Sequence, residues 1–234
     1  MRSLFSNREC RQCVDCDQQS PLFKLLSDDE LKLLGEVRYK VHFKPGEIIF
    51  KQGTSCFNIL SIRSGFVKIY LEDETNRNFT IKISGTDELI GKTNIFLDYR
   101  HHYSVAALTD VEVCFMDAIA FKKVIFGNQK FGEFYAKSWG ENNVLMWSRM
   151  LSVAHKQMNG KIADILLYLS NDVFKNKKLE SFITSKLIVE MTGVAKDNVV
   201  RTLTKLHNEK VIRFLKDEIT ILDLDKLEEI SITG

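Results

Sequence analysis

The period of the apolar positions changes several times along the chain. A first short helix is predicted at Ser27-Asp28-Asp29-Glu30-Leu31-Lys32-Leu33-Leu34, where Ser27 with Glu30 three positions on is a capping-box signature. From Val41 to Met116 the pattern turns to short β-type runs punctuated by glycine, as in Phe43-Lys44-Pro45-Gly46-Glu47-Ile48-Ile49-Phe50, Gln52-Gly53, Arg63-Ser64-Gly65-Phe66-Val67-Lys68-Ile69-Tyr70, Ile81-Lys82-Ile83-Ser84-Gly85 and Leu89-Ile90-Gly91. Strand, turn and strand at such regular spacing predict an all-β barrel or roll. A long helix is predicted from Asn128 to His155. In it Tyr135, Trp139, Asn142, Met146, Met150 and Val153 recur at spacings of three and four, a seam that one helix cannot bury alone. A two-helix coiled interface with Asn142 setting the register is one reading, and packing on the chain's own β-domain is the other.

The run Lys161-Ile162-Ala163-Asp164-Ile165-Leu166-Leu167-Tyr168-Leu169 opens a C-terminal domain. Within it, Leu187, Ile188 and Met191 lead at helical spacing to Thr192-Gly193. A second helical run follows, with Val199, Val200 and Leu203 inward and Lys196, Asp197, Asn198 and Arg201 outward. Helix, glycine turn and a second helix with a polar, partly basic first turn form the helix-turn-helix pattern, because residues that reach base edges must be long and polar. An ordinary helical hairpin with a solvated face is the alternative. The chain then runs through Lys205–Phe214 into a short strand, turns at Asp217-Glu218 and returns along Ile219-Thr220-Ile221-Leu222, which describes a wing. The expected fold class is α+β: an N-terminal double-stranded, jelly-roll-like β-roll, a long dimerisation helix and a C-terminal winged helix-turn-helix. The expected boundaries are 1–20 for a cysteine-rich segment, 21–127 for the β-roll, 128–157 for the long helix and 158–234 for the DNA-binding domain.

Composition narrows this picture little. With 234 residues, 44% hydrophobic and 27% charged, the chain has room for two modest domains in ordinary globular balance. A net charge of +2 means that nucleic-acid affinity must come from a local patch, not from a bulk polycation. No apolar run approaches the roughly 18 residues of a membrane span. Leu4-Phe5 is followed at once by Asn7, Arg8 and Glu9, so no signal-peptide core is expected. An odd count of five cysteines without such a signal points to a reducing, cytoplasmic compartment. No Ser-His-Asp spacing, paired-carboxylate motif or phosphate-cradling glycine loop suggests an enzyme.

The order β-roll, long helix, winged helix-turn-helix resembles the Crp–Fnr family of bacterial transcription regulators. The segment Phe43–Gly53 is similar to that family's first β-roll hairpin, Ile62–Lys68 to its second, Glu88-Leu89-Ile90-Gly91 to the start of its effector cassette, and Lys161–Ser170 to the helix that begins its DNA-binding domain. The resemblance implies a homodimer on a palindromic operator in double-stranded DNA, with RNA polymerase as a further partner and no membrane association. By register from Gly193 it places the base-touching positions at Lys196, Asp197 and Arg201. Asp197 would accept from a cytosine amino group and Arg201 would fork onto guanine. Asp in place of the family's commoner Glu shortens that reach by one methylene. Lys196, Thr202, Lys205, Ser185 and Lys186 are candidates for phosphate contacts. A ligand-binding signalling module whose C-terminal helices contact proteins is the rival reading.

Cyclic-nucleotide members of the family carry Gly-Glu and Arg-Ser or Arg-Thr pairs for the ribose and the cyclic phosphate. Here these are Gly91-Lys92 and Tyr103-Ser104, so cAMP is not expected to bind by those contacts. Lys92, Arg100, His101 and His102 are candidates for another anion, or a solvated loop. Cys10-x2-Cys13-x2-Cys16 is dense in thiols and suits an iron–sulfur cluster or zinc. In the family's oxygen-sensing branch the fourth ligand lies at the end of the β-roll, which here is Cys114, expected to point off the core beneath the N-terminal segment. That branch spaces its third cysteine farther from the second. Free N-terminal thiols and a Cys114 that is a small buried hydrophobe therefore stay open beside an oxygen- or redox-sensing cluster. Cys56 is expected to be structural. His101, His102 and His155 leave haem as a weaker alternative.

Overall fold

A computed structural model of the chain describes residues 21–36, 38–75, 77–92, 94–215 and 218–234. After a tight turn at Pro21–Leu25 comes helix α1 (Asp28–Gly35). Its N-cap Ser27 accepts from the Glu30 N–H while the Glu30 carboxylate accepts from the Ser27 N–H at 2.8 Å, a complete capping box. Eight strands follow: β1 (Tyr39–Phe43), β2 (Ile48–Phe50), β3 (Asn58–Ser64), β4 (Val67–Glu72), β5 (Asn78–Ser84), β6 (Leu89–Ile90), β7 (Ser104–Ala107) and β8 (Val111–Asp117). They form two four-stranded antiparallel sheets, ordered β1-β8-β3-β6 and β2-β7-β4-β5. Leu60, Ile62, Val67, Ile90, Val105, Ala107, Val111 and Val113 fill the space between them, the aligned apolar layer of a β-roll. At the β3–β4 turn Gly65 has φ +83° and lies so close to the Asp110 carbonyl that no Cβ fits.

The outer face of the first sheet is covered by α1 and by α2 (Ala118–Gly127), whose N-cap Asp117 accepts from the Ala120 N–H at 2.8 Å. Leu31, Leu34, Phe121, Val124 and Phe131 close over Cys56, Ile59 and Met116 there. The long helix α3 (Gln129–His155) begins at an Asn128 cap and leads from α2 to the C-terminal part. Among the described residues no helix is long and apolar enough to cross a membrane.

The C-terminal part holds α4 (Met158–Tyr168), a widened turn (Leu169–Phe174), α5 (Ser185–Thr192), α6 (Lys196–Asn208), the hairpin β9 (Ile212–Leu215) and β10 (Glu218–Ile221), and α7 (Leu224–Thr233). Its core of Ile162, Leu166, Ile188, Met191, Val199, Leu203, Leu206, Ile212, Ile219 and Leu227 also takes in Ile83 of β5, so the roll and this part share one apolar junction. Phe66 meets Phe174 and Phe182 with ring centroids 5.3 Å apart. The Lys68 ammonium lies 2.5 Å from the Glu190 carboxylate, which also accepts from the Thr80 hydroxyl at 3.1 Å. From α3, Arg149 donates to the Met191 carbonyl at 3.0 Å and stands over the Tyr168 ring.

The α3 seam differs from the expectation. Tyr135, Asn142 and Met146 face the chain's own β-roll: Tyr135 packs on Phe121, while Asn142 accepts from Lys82 at 2.9 Å. Trp139 and Met150 of the expected seam stay open, 51% and 68% exposed, and beside them so do Val144, Trp147 and Leu151, 60%, 65% and 61% exposed. Two elements were not foreseen, α2 and α7.

Candidate nucleic-acid interface and sensor cavity

Thr184 caps α5 by accepting from the Leu187 N–H at 3.3 Å. The helix ends because Gly193 takes φ +69°, the left-handed conformation that costs glycine nothing, and its N–H donates to the Val189 carbonyl at 2.9 Å. The Thr192 hydroxyl locks the turn by donating to the Ile188 carbonyl at 2.7 Å and accepting from the Val194 N–H at 3.2 Å. The chain then enters α6 through Ala195, which offers no side-chain cap, and Asp197 in the first turn is the charge that answers the positive end of the helix dipole.

Helix α6 divides cleanly. Val199, Thr202, Leu203 and Leu206 are buried; Lys196, Asp197, Val200, Arg201, Thr204 and Lys205 are exposed along one edge. From Lys196 to Lys205 that edge is about 13 Å long at 1.5 Å per residue, close to the major groove's width of about 12 Å. Arg201 donates to the Asn198 side-chain oxygen at 2.9 Å, which steadies the guanidinium at the surface. His207 accepts from the Phe214 N–H at 3.3 Å and so ties the helix to the wing. Spacing alone gave no signal for that contact.

Two expectations for α6 need correction. Thr202, a candidate phosphate contact, is 3% exposed and donates to Asn159 at 3.2 Å; it packs α6 on α4. Val200, expected inward, is 38% exposed, because a step of one residue along a helix turns it about 100° away from the buried Val199. Lys186 is exposed, but it lies one turn before Glu190 on α5 and lines a cavity with Lys68 and Thr184 that faces the roll; Ser185 beside it is half-buried. Thus Lys196, Asp197, Arg201 and Lys205 share an open edge, which Thr202, Ser185 and Lys186 do not extend.

In the roll, Cys114 lies on the Met116 side of β8, away from Val111 and Val113 in the core between the sheets, as expected, and it is buried there. Cys10, Cys13 and Cys16 lie outside the described residues, and among the described residues no three His, Cys, Asp or Glu gather as a metal site. Cys56 is buried, and burial pushes its thiol pKa up. His101 is no solvated loop residue. It is buried, stacked on Phe50 at 3.6 Å and bonded to Asn94, and burial, with the charge of His102, pushes its pKa down to about 4. His102 pairs with Asp98 at the surface, and Arg100 is exposed.

Lys92 behaves differently again. Its ammonium donates to Ser138 of α3 at 2.6 Å, and its carbonyl accepts from the Tyr135 hydroxyl at 2.6 Å. The Tyr103 hydroxyl accepts from the Gly91 N–H at 3.0 Å, so two tyrosines hold this short loop. The loop borders a cavity of about 250 Å³ between β6 and α3, lined by Ile69, Ile81, Ile90, Tyr103, Trp139 and Met146, among others. Ser104 turns away toward Gln52 and Glu72.

An effector-type β-roll joined by a long helix to a winged helix-turn-helix defines a ligand-responsive DNA-binding regulator. The comparisons agree. The family model of the cyclic nucleotide-binding domain matches residues 40–128, and that of the Crp-like helix-turn-helix domain matches residues 160–230. The nitrogen fixation regulation protein FixK of Bradyrhizobium diazoefficiens is 21% identical over 233 residues, covering 94% of this chain and 93% of FixK. The anaerobic regulatory protein of Bacillus subtilis is 20% identical over 193 residues, covering 80% of this chain and 81% of that protein. The structure of FixK2 from Bradyrhizobium japonicum superposes with a TM-score of 0.76 at 14% identity, covering 85% of this chain and 99% of that one. The chain belongs to the Crp–Fnr family: it is a DNA-binding transcription regulator with an effector-binding domain, and not an enzyme.

Proposed function

We propose that the protein acts as a homodimer that reads a two-fold symmetric operator, inserting the exposed edge of α6 from each protomer into successive major grooves. One observation carries this reading: Lys196, Asp197, Arg201 and Lys205 stand open along a single edge while Val199, Leu203 and Leu206 anchor the same helix in the core. Arg201 forks onto guanine O6 and N7, and Asp197 accepts from the amino group of cytosine. Lys196 and Lys205 neutralise phosphates, which fixes register without reading sequence. Pairing through Val144, Trp147 and Leu151, three and four residues apart on α3, is supported by their exposure in the single chain. It sets the two α6 helices to bind half-sites about 34 Å apart.

The roll takes an effector other than cAMP, because among the described residues the cations bordering its cavity are lysines and none is an arginine. Selection of bound duplexes from a random library tests the function. The expected product is an inverted repeat with half-sites one helical turn apart, bound with an affinity that falls steeply with salt. Recovery of no preferred sequence, or of a single unrepeated half-site, contradicts it.

A further inference from the structure

The cavity between β6 and α3 has an unbalanced charge. Among the described residues, three ionisable side chains other than tyrosine line it: Lys82, Glu88 and Lys92. Lys82 and Glu88 are paired with each other, and each has a second partner: Lys82 donates to Asn142 at 2.9 Å, and Glu88 accepts from Ser84 at 3.1 Å. Lys92 has Ser138 alone as a hydrogen-bond acceptor, and among the described residues no carboxylate comes within ion-pair distance of it. Of its three N–H donors one is spent on Ser138, and the ammonium lies 5.9 Å from the centre of the Tyr135 ring. Burial and the neighbouring Lys82 push its pKa down to about 8 against the opposing charges of Glu88 and Glu141. Lys92 also lines the adjoining outer cavity of about 500 Å³, whose further carboxylates Asp87, Glu141 and Asp172 are exposed to solvent.

We propose that this cavity binds a small organic monoanion, a carboxylate on an apolar body, with the Lys92 ammonium as its counter-charge. The proposal rests on the reading of the roll as the effector domain and names the chemistry of its ligand. A single surplus positive charge is neutralised by a single negative one, whereas a dianion leaves a half-buried charge unpaired. Ile69, Ile81, Ile90, Trp139 and Met146 suit an aliphatic or aromatic body. At about 250 Å³ the space lies below the roughly 300–1,000 Å³ usual for drug-sized ligands, which favours a small molecule. Because Lys92 is held by Ser138 and Tyr135, an anion on Lys92 acts directly on α3, the helix that carries Arg149 to the turn before α6.

The test is isothermal titration of the full-length protein with benzoate, phenylacetate and hexanoate, each against its neutral amide, and with 3′,5′-cyclic AMP. At least one acid binds more tightly than about 1 mM, by tenfold or more over its amide, and Lys92→Met removes that preference in a protein whose thermal melting is intact. Equal binding of acid and amide, an undiminished preference in Lys92→Met, tighter binding of the cyclic nucleotide, or no acid binding more tightly than about 1 mM overturns the proposal. Operator binding measured on the same preparation keeps the two readings apart. Intact DNA recognition with a failed titration sinks the ligand chemistry alone, while absent DNA recognition sinks the proposed function.

Discussion

Replacing Trp147 by aspartate should break the dimer while leaving the protomer folded. In the single chain Trp147 is 65% exposed, flanked on the same stripe of α3 by Val144 and Leu151. A tryptophan buries about 150–250 Å² when fully covered, so roughly 100–160 Å² per protomer remains to be covered by a partner. Over two protomers, at about 25 cal/mol per Å², this amounts to about 5–8 kcal/mol. Ordering and imperfect fit absorb much of that. Even a third of it, about 2–3 kcal/mol, weakens dimerisation by a factor of roughly 30–150. The substitution also sets two carboxylates against each other across the seam. Sedimentation velocity over a concentration series reads the dissociation constant, and thermal melting confirms the fold. Ile119→Asp, on the outer face of α2 and also 60% exposed, is the control and should leave the constant unchanged. A Trp147→Asp dimer as tight as the wild type would refute the assignment of this stripe to the interface.

Other substitutions probe the remaining contacts. Lys68→Met strands the Glu190 carboxylate at the junction, where the pair is 15% and 12% exposed. A loss of about 2–3 kcal/mol is expected after allowance for that residual exposure, a fall in Tm of roughly 4–12 °C; the double variant Lys68→Met/Glu190→Met should recover much of it in a calorimetric scan. Thr202→Val removes the bond to Asn159 and should cost about 1 kcal/mol of stability with operator affinity unchanged, whereas a large affinity loss would return Thr202 to the DNA contacts. For His101 the ordinary pKa of 6.5 falls to about 4 in the folded state. The unfolded chain therefore takes up a proton below about pH 6.5 that the folded chain refuses until about pH 4. Its contribution to stability is complete above that window and drains away as the pH falls through it, so His101→Gln should flatten the acid limb of the melting curve.

Local signals carried most of what was legible in the chain. The Ser27–Glu30 box and the α5–Gly193–α6 turn are written within a few residues, because caps and left-handed turns depend on neighbours in sequence. The α3 stripe was harder. Two apolar stripes run along that helix, and periodicity cannot say which one the β-roll takes; Lys82 and the Phe121 layer decide it from far away in sequence. Helix α2 is apolar on so much of its surface that it reads as a continuation of β8, although Asp117 before Ala118 is a usable cap. Helix α7 carried a similar mark in Asp223, with Leu224, Leu227 and Ile230 three apart. Thr202 looked like a surface residue because it is polar, and only the distant Asn159 makes its burial affordable. Lys92 was visible as a cation at an effector position; that Ser138 and not a carboxylate takes its hydrogen bond depends on the distant α3 and on how Glu88 is spent on Lys82.

The most direct measurement is the affinity of wild-type protein and Arg201→Ala for the selected operator and for a scrambled duplex of equal length, at one fixed salt concentration. A bidentate contact to guanine is worth about 1–3 kcal/mol in each half-site, so the variant should lose at least about tenfold on the operator and hardly change on the scrambled duplex. Equal losses on both duplexes, or none on either, would contradict the claim that the open edge of α6 reads sequence.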